Sequence, residues 1–306
     1  MIVCAGEALI DMLPRTTAAG ETAFAPYPGG AVFNTAIALG RLGAPTGFVS
    51  GLSTDFLGQL LTDALEESDV DTGHSIRVDR PTTLAFVRLV DGQASYAFYD
   101  ENTAGRMLTP EDMPDLPDNV EAAFFGGISL VAEPCATAYE ALMERLAPTR
   151  ALMIDPNIRP GFVTDAEAYR ARIRRMMAMA DIVKLSDEDM TWLLGAGTPA
   201  DHARALMTDG VSVVCVTEGA DGALGYCANG TIRVGAEKVE VVDTVGAGDT
   251  FNAGFLAALY ASGYLTKDLI GEIDHATVAA GLRHGAKAAA ITVSRAGANP
   301  PWLEEM

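Results

Sequence analysis

Asp243-Thr244-Val245-Gly246-Ala247-Gly248-Asp249-Thr250-Phe251-Asn252-Ala253-Gly254-Phe255 reads as the end of a strand, a turn of small residues and the start of a helix. Gly246, Ala247 and Gly248 carry little or no side chain, so their N–H groups can converge on an anion, and the helix dipole adds to the attraction. Such a hole suits a phosphoryl group whose charge spreads over its oxygens during transfer. Asp249 falls at the mouth of the hole. Like charges repel, so its carboxylate is no phosphate ligand; it can orient an attacking hydroxyl and take the proton late. The same turn also fits a tight strand-to-helix connection with Asp249 as a helix cap. A cap alone does not explain a carboxylate beside an anion hole on a helix of small residues.

Working outward, strands are expected near 2–6, 46–51, 123–126, 151–155, 181–185 and 211–217, with helical stretches between them. This alternation argues for an α/β fold with a mostly parallel sheet covered on both faces. Gly29-Gly30 opens a helix over 31–42 that Gly43 stops. Ser53 or Thr54 is expected to cap a helix carrying Phe56, Leu57, Leu60, Leu61 and Leu65. Further strands are expected at 222–227, 231–234 and 238–242. Helices follow over 248–262 and 275–287, then a last buried strand at 289–293. Two strand-like runs, 82–90 and 94–99, join through Asp91-Gly92, a strong hairpin signal. Residues 13–28 read as irregular and partly extended. The hairpin and residues 22–27 should form a small appended sheet inserted into one large domain spanning 1–306.

The 306 residues are 49% hydrophobic, ample for a large core. Twenty-one basic residues against 41 acidic ones give a net charge of −20. Such a chain repels nucleic acid and anionic lipid, so neither is an expected partner. An anionic substrate must be met by a local positive site or a metal ion. Cys4, Cys135, Cys215 and Cys227 are far apart with apolar neighbours, which points to reduced, buried thiols in a cytoplasmic protein. The N-terminus has no basic region, and Glu7 and Asp11 soon break its apolar run, unlike a signal peptide.

The Asp243 to Phe255 stretch resembles the second signature of the PfkB, or ribokinase-like, carbohydrate kinases. Gly29-Gly30-Ala31-Val32-Phe33-Asn34-Thr35-Ala36-Ile37-Ala38-Leu39-Gly40-Arg41-Leu42-Gly43 resembles the first. The likeness runs through nearly the whole chain in matching order. It implies the ribokinase-like sheet with a small β-sheet lid, formed by segments about 13–28 and 82–100. It implies Asp249 as catalytic base, Gly246 to Gly248 as anion hole, and Asp11, Gly30 and Asn34 as the grip on sugar hydroxyls. Taken singly, Asn34 also fits a helix start and Asp11 a loop turn.

Asp155-Pro156-Asn157-Ile158-Arg159-Pro160-Gly161 resembles the same place in fructokinases and ketodeoxygluconate kinases. It follows a strand, so it lies at the sheet's carboxyl edge, where open α/β sheets bind ligands. Arg159 there suits a fork onto phosphate oxygens. Lys184-Leu185-Ser186-Asp187-Glu188-Asp189 matches the segment where many relatives carry Asn-x-x-Glu tied to Mg²⁺. Ser186 and Asp189 depart from that pattern but keep oxygen, so Asp189 or Glu188 is expected to order the metal's waters. Read alone, Ser186 before three acids is an ordinary helix start. Thr217-Glu218-Gly219-Ala220-Asp221-Gly222 resembles the family's nucleotide-binding turn, implying Thr217, Gly219 and Gly222, with Lys184 and Ser186, at ATP; a simple hairpin turn fits as well. Arg295 to Pro300 resembles the family's closing loop, which implies, with Asp243 and the turn to Val245, a site for a monovalent cation, K⁺. No Walker A or dinucleotide-binding pattern occurs.

The hairpin departs from the fructokinase pattern. Asp100 stands where those enzymes carry Arg, and Arg106 stands near where Asp is common. A neutral sugar requires Arg106 to be paired, by Asp100 or Glu101, or to face solvent. An acidic sugar would leave it free for a carboxylate. The resulting expectation is an ATP-dependent kinase acting on a terminal hydroxyl of fructose. The alternative is 2-keto-3-deoxygluconate, whose carboxylate Arg106 and Arg159 would meet, with a nucleoside kinase behind it. A sugar sensor without turnover is disfavoured by the intact Gly246 to Asp249 run. A homodimer through the lid is also expected.

Overall fold

The computed structural model describes residues 1–90 and 93–306, so the expected Asp91-Gly92 turn lies outside the described residues. In chain order the elements are β1 (Ile2–Ala5), β2 (Leu9–Thr16), β3 (Thr22–Gly29), α1 (Ala31–Arg41), β4 (Thr46–Val49), β5 (Gly51–Ser53), α2 (Phe56–Glu66), β6 (Val70–Asp71), β7 (Ile76–Val78), β8 (Leu84–Val90), β9 (Gln93–Tyr99), β10 (Ala122–Gly126), α3 (Cys135–Leu146), β11 (Ala151–Asp155), α4 (Ala166–Met179), β12 (Ile182–Ser186), α5 (Asp187–Leu194), α6 (Pro199–Thr208), β13 (Val213–Thr217), β14 (Ala223–Cys227), β15 (Gly230–Val234), α7 (Ala247–Ala261) and α8 (His275–Val293).

Nine strands form the main sheet in the order β15-β14-β13-β12-β11-β10-β1-β4-β6. Neighbours from β13 through to β6 run parallel, while β14 and β15 are antiparallel additions. The central strands are mostly apolar because both faces are covered; the exceptions include Asp155 at the end of β11 and Lys184 and Ser186 of β12. Ile2 and Cys4 of β1 face a core with Phe33, Phe48, Phe124, Phe255 and Leu282. Val3 and Ala5 face a second core with Tyr139, Phe125, Ile173 and Val214. All four cysteines are buried and free. Among the described residues no helix is long and apolar enough to cross a membrane.

The two helices after the anion turn approach closely. A Cβ on Gly254 of α7 would stand 2.8 Å from the Gly285 Cα of α8. Only glycine permits that crossing, which seats the start of α7 against the sheet edge.

The second, four-stranded sheet has the order β3-β2-β8-β9. Residues 22–27 join the small sheet as expected, but residues 13–28 as a whole, expected to be irregular and only partly extended, supply most of a fully paired β2–β3 hairpin, with Leu13 opposite Ala25 and Thr16 opposite Thr22. Pro26 and Pro28 obscured it in the sequence; both lie on the edge strand, where a missing N–H is tolerated.

Three further expectations are corrected. Residues 238–242 form no strand; the ladder ends at Val234, and Val242 only donates its N–H to the Val293 carbonyl. Residues 289–293 are the last turns of α8, because Gly285, Ala288 and Thr292 continue the buried helical face and Thr292 Oγ1 meets Thr250 Oγ1 of α7. The cap of α2 is Asp55, which accepts from Gly58 N; Ser53 Oγ accepts from Asp55 N one step earlier.

Candidate active site

The carboxyl ends of β1, β10, β11, β12 and β13 lie along one edge of the main sheet, and the N-termini of α1 and α7 converge on it. Gly246 caps α7 with φ 78°, and a Cβ there would meet the Ala298 Cβ at 2.7 Å. Glycine is therefore required twice over at the mouth of the turn. Ala247 and Gly248 follow in the first helical turn, where backbone N–H groups have no intrahelical partner.

Asp249 is 7% exposed. It does not cap its own helix. Its Oδ2 accepts from Asn34 Nδ2 at 2.9 Å and its Oδ1 from Asn157 Nδ2 at 3.3 Å. Burial pushes its carboxyl up to about 7, Asp155 adds to the rise, and the Asn34 hydrogen bond, Lys184 and Arg159 oppose it. A carboxylate with a pKa near 7 is a much better proton acceptor at neutral pH than a solvated one.

Gly30 precedes α1 with φ 112°, its Cα close against the Glu7 backbone. Glu7, at the end of β1, is buried; its Oε1 accepts from the N–H of Ala31 and Val32, and its Oε2 from that of Ser129. It thus caps α1 from a distance and fixes the Gly29-Gly30 turn. The sequence reading used Glu7 only as a break in an apolar run. Asp11 sits on β2 rather than in a loop, under Gly29. Burial alone raises its carboxyl to about 6, and it makes no hydrogen bond among the described residues. Asp11, Gly30, Asn34 and Asp249 are thus brought to one place.

Beneath the anion turn lies a buried polar network. Lys184 Nζ pairs with Asp155 Oδ2 at 2.8 Å, and Asn252 Nδ2 donates to the same oxygen at 2.7 Å. A Cβ on Gly248 would stand 3.4 Å from Lys184 Nζ, so the ammonium lies against the hole. Burial disfavours that ammonium, but Asp155 overrides it and holds its pKa above the ordinary lysine value. Asn157, Asp155 and Asn252 received no role from the sequence, although Asp155 and Asn157 stood in the Asp155 to Gly161 motif and Asn252 in the Asp243 to Phe255 stretch, both already singled out.

Ser186 caps α5 by accepting from Asp189 N. Asp189 is buried and its Oδ1 accepts from Ile158 N, while Glu188 is exposed on the same turn. Burial first, then Asp155, raises the Asp189 carboxyl. Arg159 is exposed, its Nη1 bonded to Asn157 Oδ1 at 2.7 Å. Thr217 ends β13, and Gly219 and Gly222 adopt φ of 54° and 99° in the turn that follows. Asp243 joins two loops, its Oδ1 accepting from Val245 N and its Oδ2 from Gly297 N.

Arg106 is paired. Its Nη1 meets Asp100 Oδ1 at 2.8 Å and its Nε donates to the Glu133 carbonyl. The pair lines a cavity of about 560 Å³ with Phe98, Ile128, Phe162 and Tyr169. Phe98 of β9 packs edge-on against Phe162, which ties the small sheet to the loop carrying Arg159.

The family model described as pfkB family carbohydrate kinase matches residues 1–305. A fructokinase of Rhizobium leguminosarum bv. trifolii is 54% identical over 277 residues, covering 90% of this chain and 84% of that protein. The fructokinase of Xylella fastidiosa with bound ATP superposes with a TM-score of 0.90 at 30% identity, over 99% of this chain and 96% of that one. A double mutant of the Vibrio cholerae fructokinase, bound to fructose, ADP and potassium, gives a TM-score of 0.83 at 25% identity, over 97% and 93%. Matched over nearly its whole length, the chain belongs to the pfkB family of carbohydrate kinases.

Proposed function

We propose that the protein is an ATP-dependent fructokinase that phosphorylates a terminal hydroxymethyl of the sugar. The observation that carries the choice of sugar is the Arg106–Asp100 ion pair. An arginine already neutralised by a carboxylate offers no free charge for an acidic sugar, and the 54% identity to a fructokinase points the same way. This weighs against 2-keto-3-deoxygluconate.

Asp249 is the base. It orients the hydroxyl and accepts its proton as the bond to phosphorus forms. Gly246, Ala247 and Gly248 donate N–H groups to the phosphoryl oxygens, and Lys184 adds positive potential from below. Asp11, Gly30 and the carbonyl oxygen of the Asn34 amide hold the sugar hydroxyls. Arg159 meets the transferring phosphate. Thr217, Gly219 and Gly222 border the nucleotide, and Ser186 shapes the turn beside it. The small sheet covers the sugar and limits access of water to the phosphate.

The oxygen-only donor set fits Mg²⁺. Among the described residues no cluster of three or more His, Cys, Asp or Glu side chains converges. An ion would therefore be held by Asp189 through waters together with the ATP phosphates, with Glu188 further out. It would neutralise phosphate charge. Asp243, beside the loop from Arg295 to Pro300, borders a site for K⁺. Four buried, free cysteines support a reducing, cytoplasmic setting.

A homodimer through the small sheet is supported by its outer aromatic row. Phe24 and Tyr99 are 43% and 62% exposed and flank Phe86 edge-on at 5.1 and 5.5 Å. Tyr99→Lys should then yield monomers in sedimentation, whereas an unchanged sedimentation coefficient would exclude this face.

A panel of neutral and acidic sugars with ATP, read by ADP release, tests the activity. A higher kcat/KM for the acidic sugar, lost selectively in Arg106→Ala, would replace the fructose assignment.

A further inference from the structure

Asn157 occupies an unusual position in this site. It lies in the loop after β11 with φ 43°, a left-handed conformation that L-residues adopt at a cost and that Asn tolerates better than most. Its own N–H is held by Asp155 Oδ1 at 3.1 Å, and that carboxylate is anchored in turn by Lys184 and Asn252. The next residue, Ile158, donates its N–H to Asp189. The loop is thus pinned on both sides of one strained residue.

The side chain explains the strain. The amide of Asn157 has one donor end and one acceptor end, and each is used at a different reacting group. Nδ2 donates to Asp249 Oδ1, and Oδ1 accepts from Arg159 Nη1. We propose that Asn157 is a positioning residue that holds the base Asp249 and the phosphate-binding Arg159 in one fixed register. This inference rests on the base and phosphate roles given above and adds the part that couples them. Without the amide, the base keeps only its Asn34 contact and can rotate away from the line of attack, while Arg159 keeps only backbone carbonyls. A misalignment of about an ångström at reacting groups is costly.

The inference separates the amide from the backbone it sits on. Asn157→Gly relieves the positive φ and removes the amide, so the loop keeps its path. Asn157→Asp keeps an acceptor for Arg159 but puts a carboxylate where Asp249 needs a donor. The charged and polar groups facing Asp249 are Asn34 from α1, Asp155 from the end of β11, Asn157 and Arg159 from the loop after it, and Lys184 from β12. Losing a donor to a carboxylate favours its protonated form, so the acid limb of the pH profile should move to higher pH in both variants.

The experiment measures kcat over pH 5.5 to 9 with ATP and fructose, with thermal melts to confirm folding. Asn157→Gly is expected to lower kcat about ten- to a hundredfold, the scale of one hydrogen bond to a charged group, and to shift the acid limb upward. Asn157→Asp should lose at least as much and shift it further. Combined with Arg159→Ala, Asn157→Gly should cost less than the product of the single losses, as contacting residues do. A folded Asn157→Gly enzyme within about threefold of the parent, with its acid limb unmoved, overturns the inference while leaving Asp249 as base. Multiplying losses in the double variant overturn the coupling to Arg159. If Asp249→Asn itself turns over like the parent, the base assignment falls and the inference with it.

Discussion

Asp249→Asn should cripple catalysis and yet stabilise the fold at alkaline pH. The carboxyl is 7% exposed, and burial raises its pKa from an ordinary 3.8 to about 7. Between those two values the folded state binds a proton that the unfolded chain does not. Stability therefore falls as pH rises from about 4 to 7, and above 7 the whole penalty is present. Three pKa units correspond to at most about 4 kcal/mol. Asparagine removes that penalty, because no charge is left to bury.

The replacement also introduces a conflict. Asn34 and Asn157 both present N–H donors to Asp249. A carboxylate accepts from both, whereas an amide accepts with one end only. One contact becomes donor against donor, at about 1–3 kcal/mol. The net gain at pH 8 should be about 1–3 kcal/mol, turning into a net loss of up to about 2 kcal/mol at pH 4.5, where the parent is already protonated and the donor conflict remains. Urea denaturation at the two pH values reads the stability, and ADP release reads a kcat about two to four decades lower. A stability difference equal at both pH values would show that Asp249 is not a strained, buried charge. A kcat within about threefold of the parent would show that it is not the base.

Four further outcomes follow from the same geometry. Arg106→Ala breaks a half-exposed ion pair and should cost at most about 1 kcal/mol, with kcat/KM for fructose within about threefold; a large loss for fructose would place Arg106 on the sugar. Lys184→Met leaves Asp155 buried without its cation and should cost about 3–5 kcal/mol in urea denaturation, partly restored by adding Asp155→Asn; no recovery would mean that the pair is not the cause. Gly246→Ala forces a side chain into a left-handed turn against Ala298 and should lower stability by at least about 1–2 kcal/mol along with kcat, whereas a parent-like melting curve would show that the turn relaxes freely. Asp11, with burial raising its carboxyl to about 6, should lose affinity for the sugar as pH falls through 6, and Asp11→Asn should raise KM about ten- to a hundredfold and abolish that pH dependence.

The sequence was most legible where chain geometry permits few alternatives. Small residues before a helix, apolar strands covered on both faces and a hairpin breaking the β/α alternation each have one natural reading, and the central sheet and small sheet followed from them. The errors share a cause. Residues 238–242 alternate Lys, Val, Glu, Val and Val like a strand but join no ladder, leaving Val239, Val241 and Val242 exposed, and residues 289–293 are a short apolar run whose period does not separate strand from helix; packing of Thr292 against Thr250 decided the second. Residues 13–28 carry prolines that speak against a strand until its edge position is known. At the site, the expected residues came from local signatures, whereas Glu7 acts at long range on Ala31 with nothing in its neighbourhood to announce it, and Asn252, inside the Asp243 to Phe255 stretch, received no role because its partner Asp155 lies 97 residues away.

The placement of charge resolves how a chain of net charge −20 can bind a polyanion. Long-range attraction is not available to it, so affinity has to come from groups within a few ångströms. In the proposed mechanism those groups are the N–H donors at the start of α7, the Lys184 ammonium against Gly248, and Arg159 at the rim. Lys184 could not stand there alone, since a buried unpaired ammonium would give up its proton. Asp155 keeps it charged, and Asn252 with the Asn157 N–H occupies the remaining capacity of that carboxylate. The same Asp155 raises the Asp249 pKa by repulsion. In the proposed mechanism one buried carboxylate therefore serves both halves of the reaction: it keeps charged the cation that would meet the phosphate, and it adds to the rise that burial gives the Asp249 carboxyl.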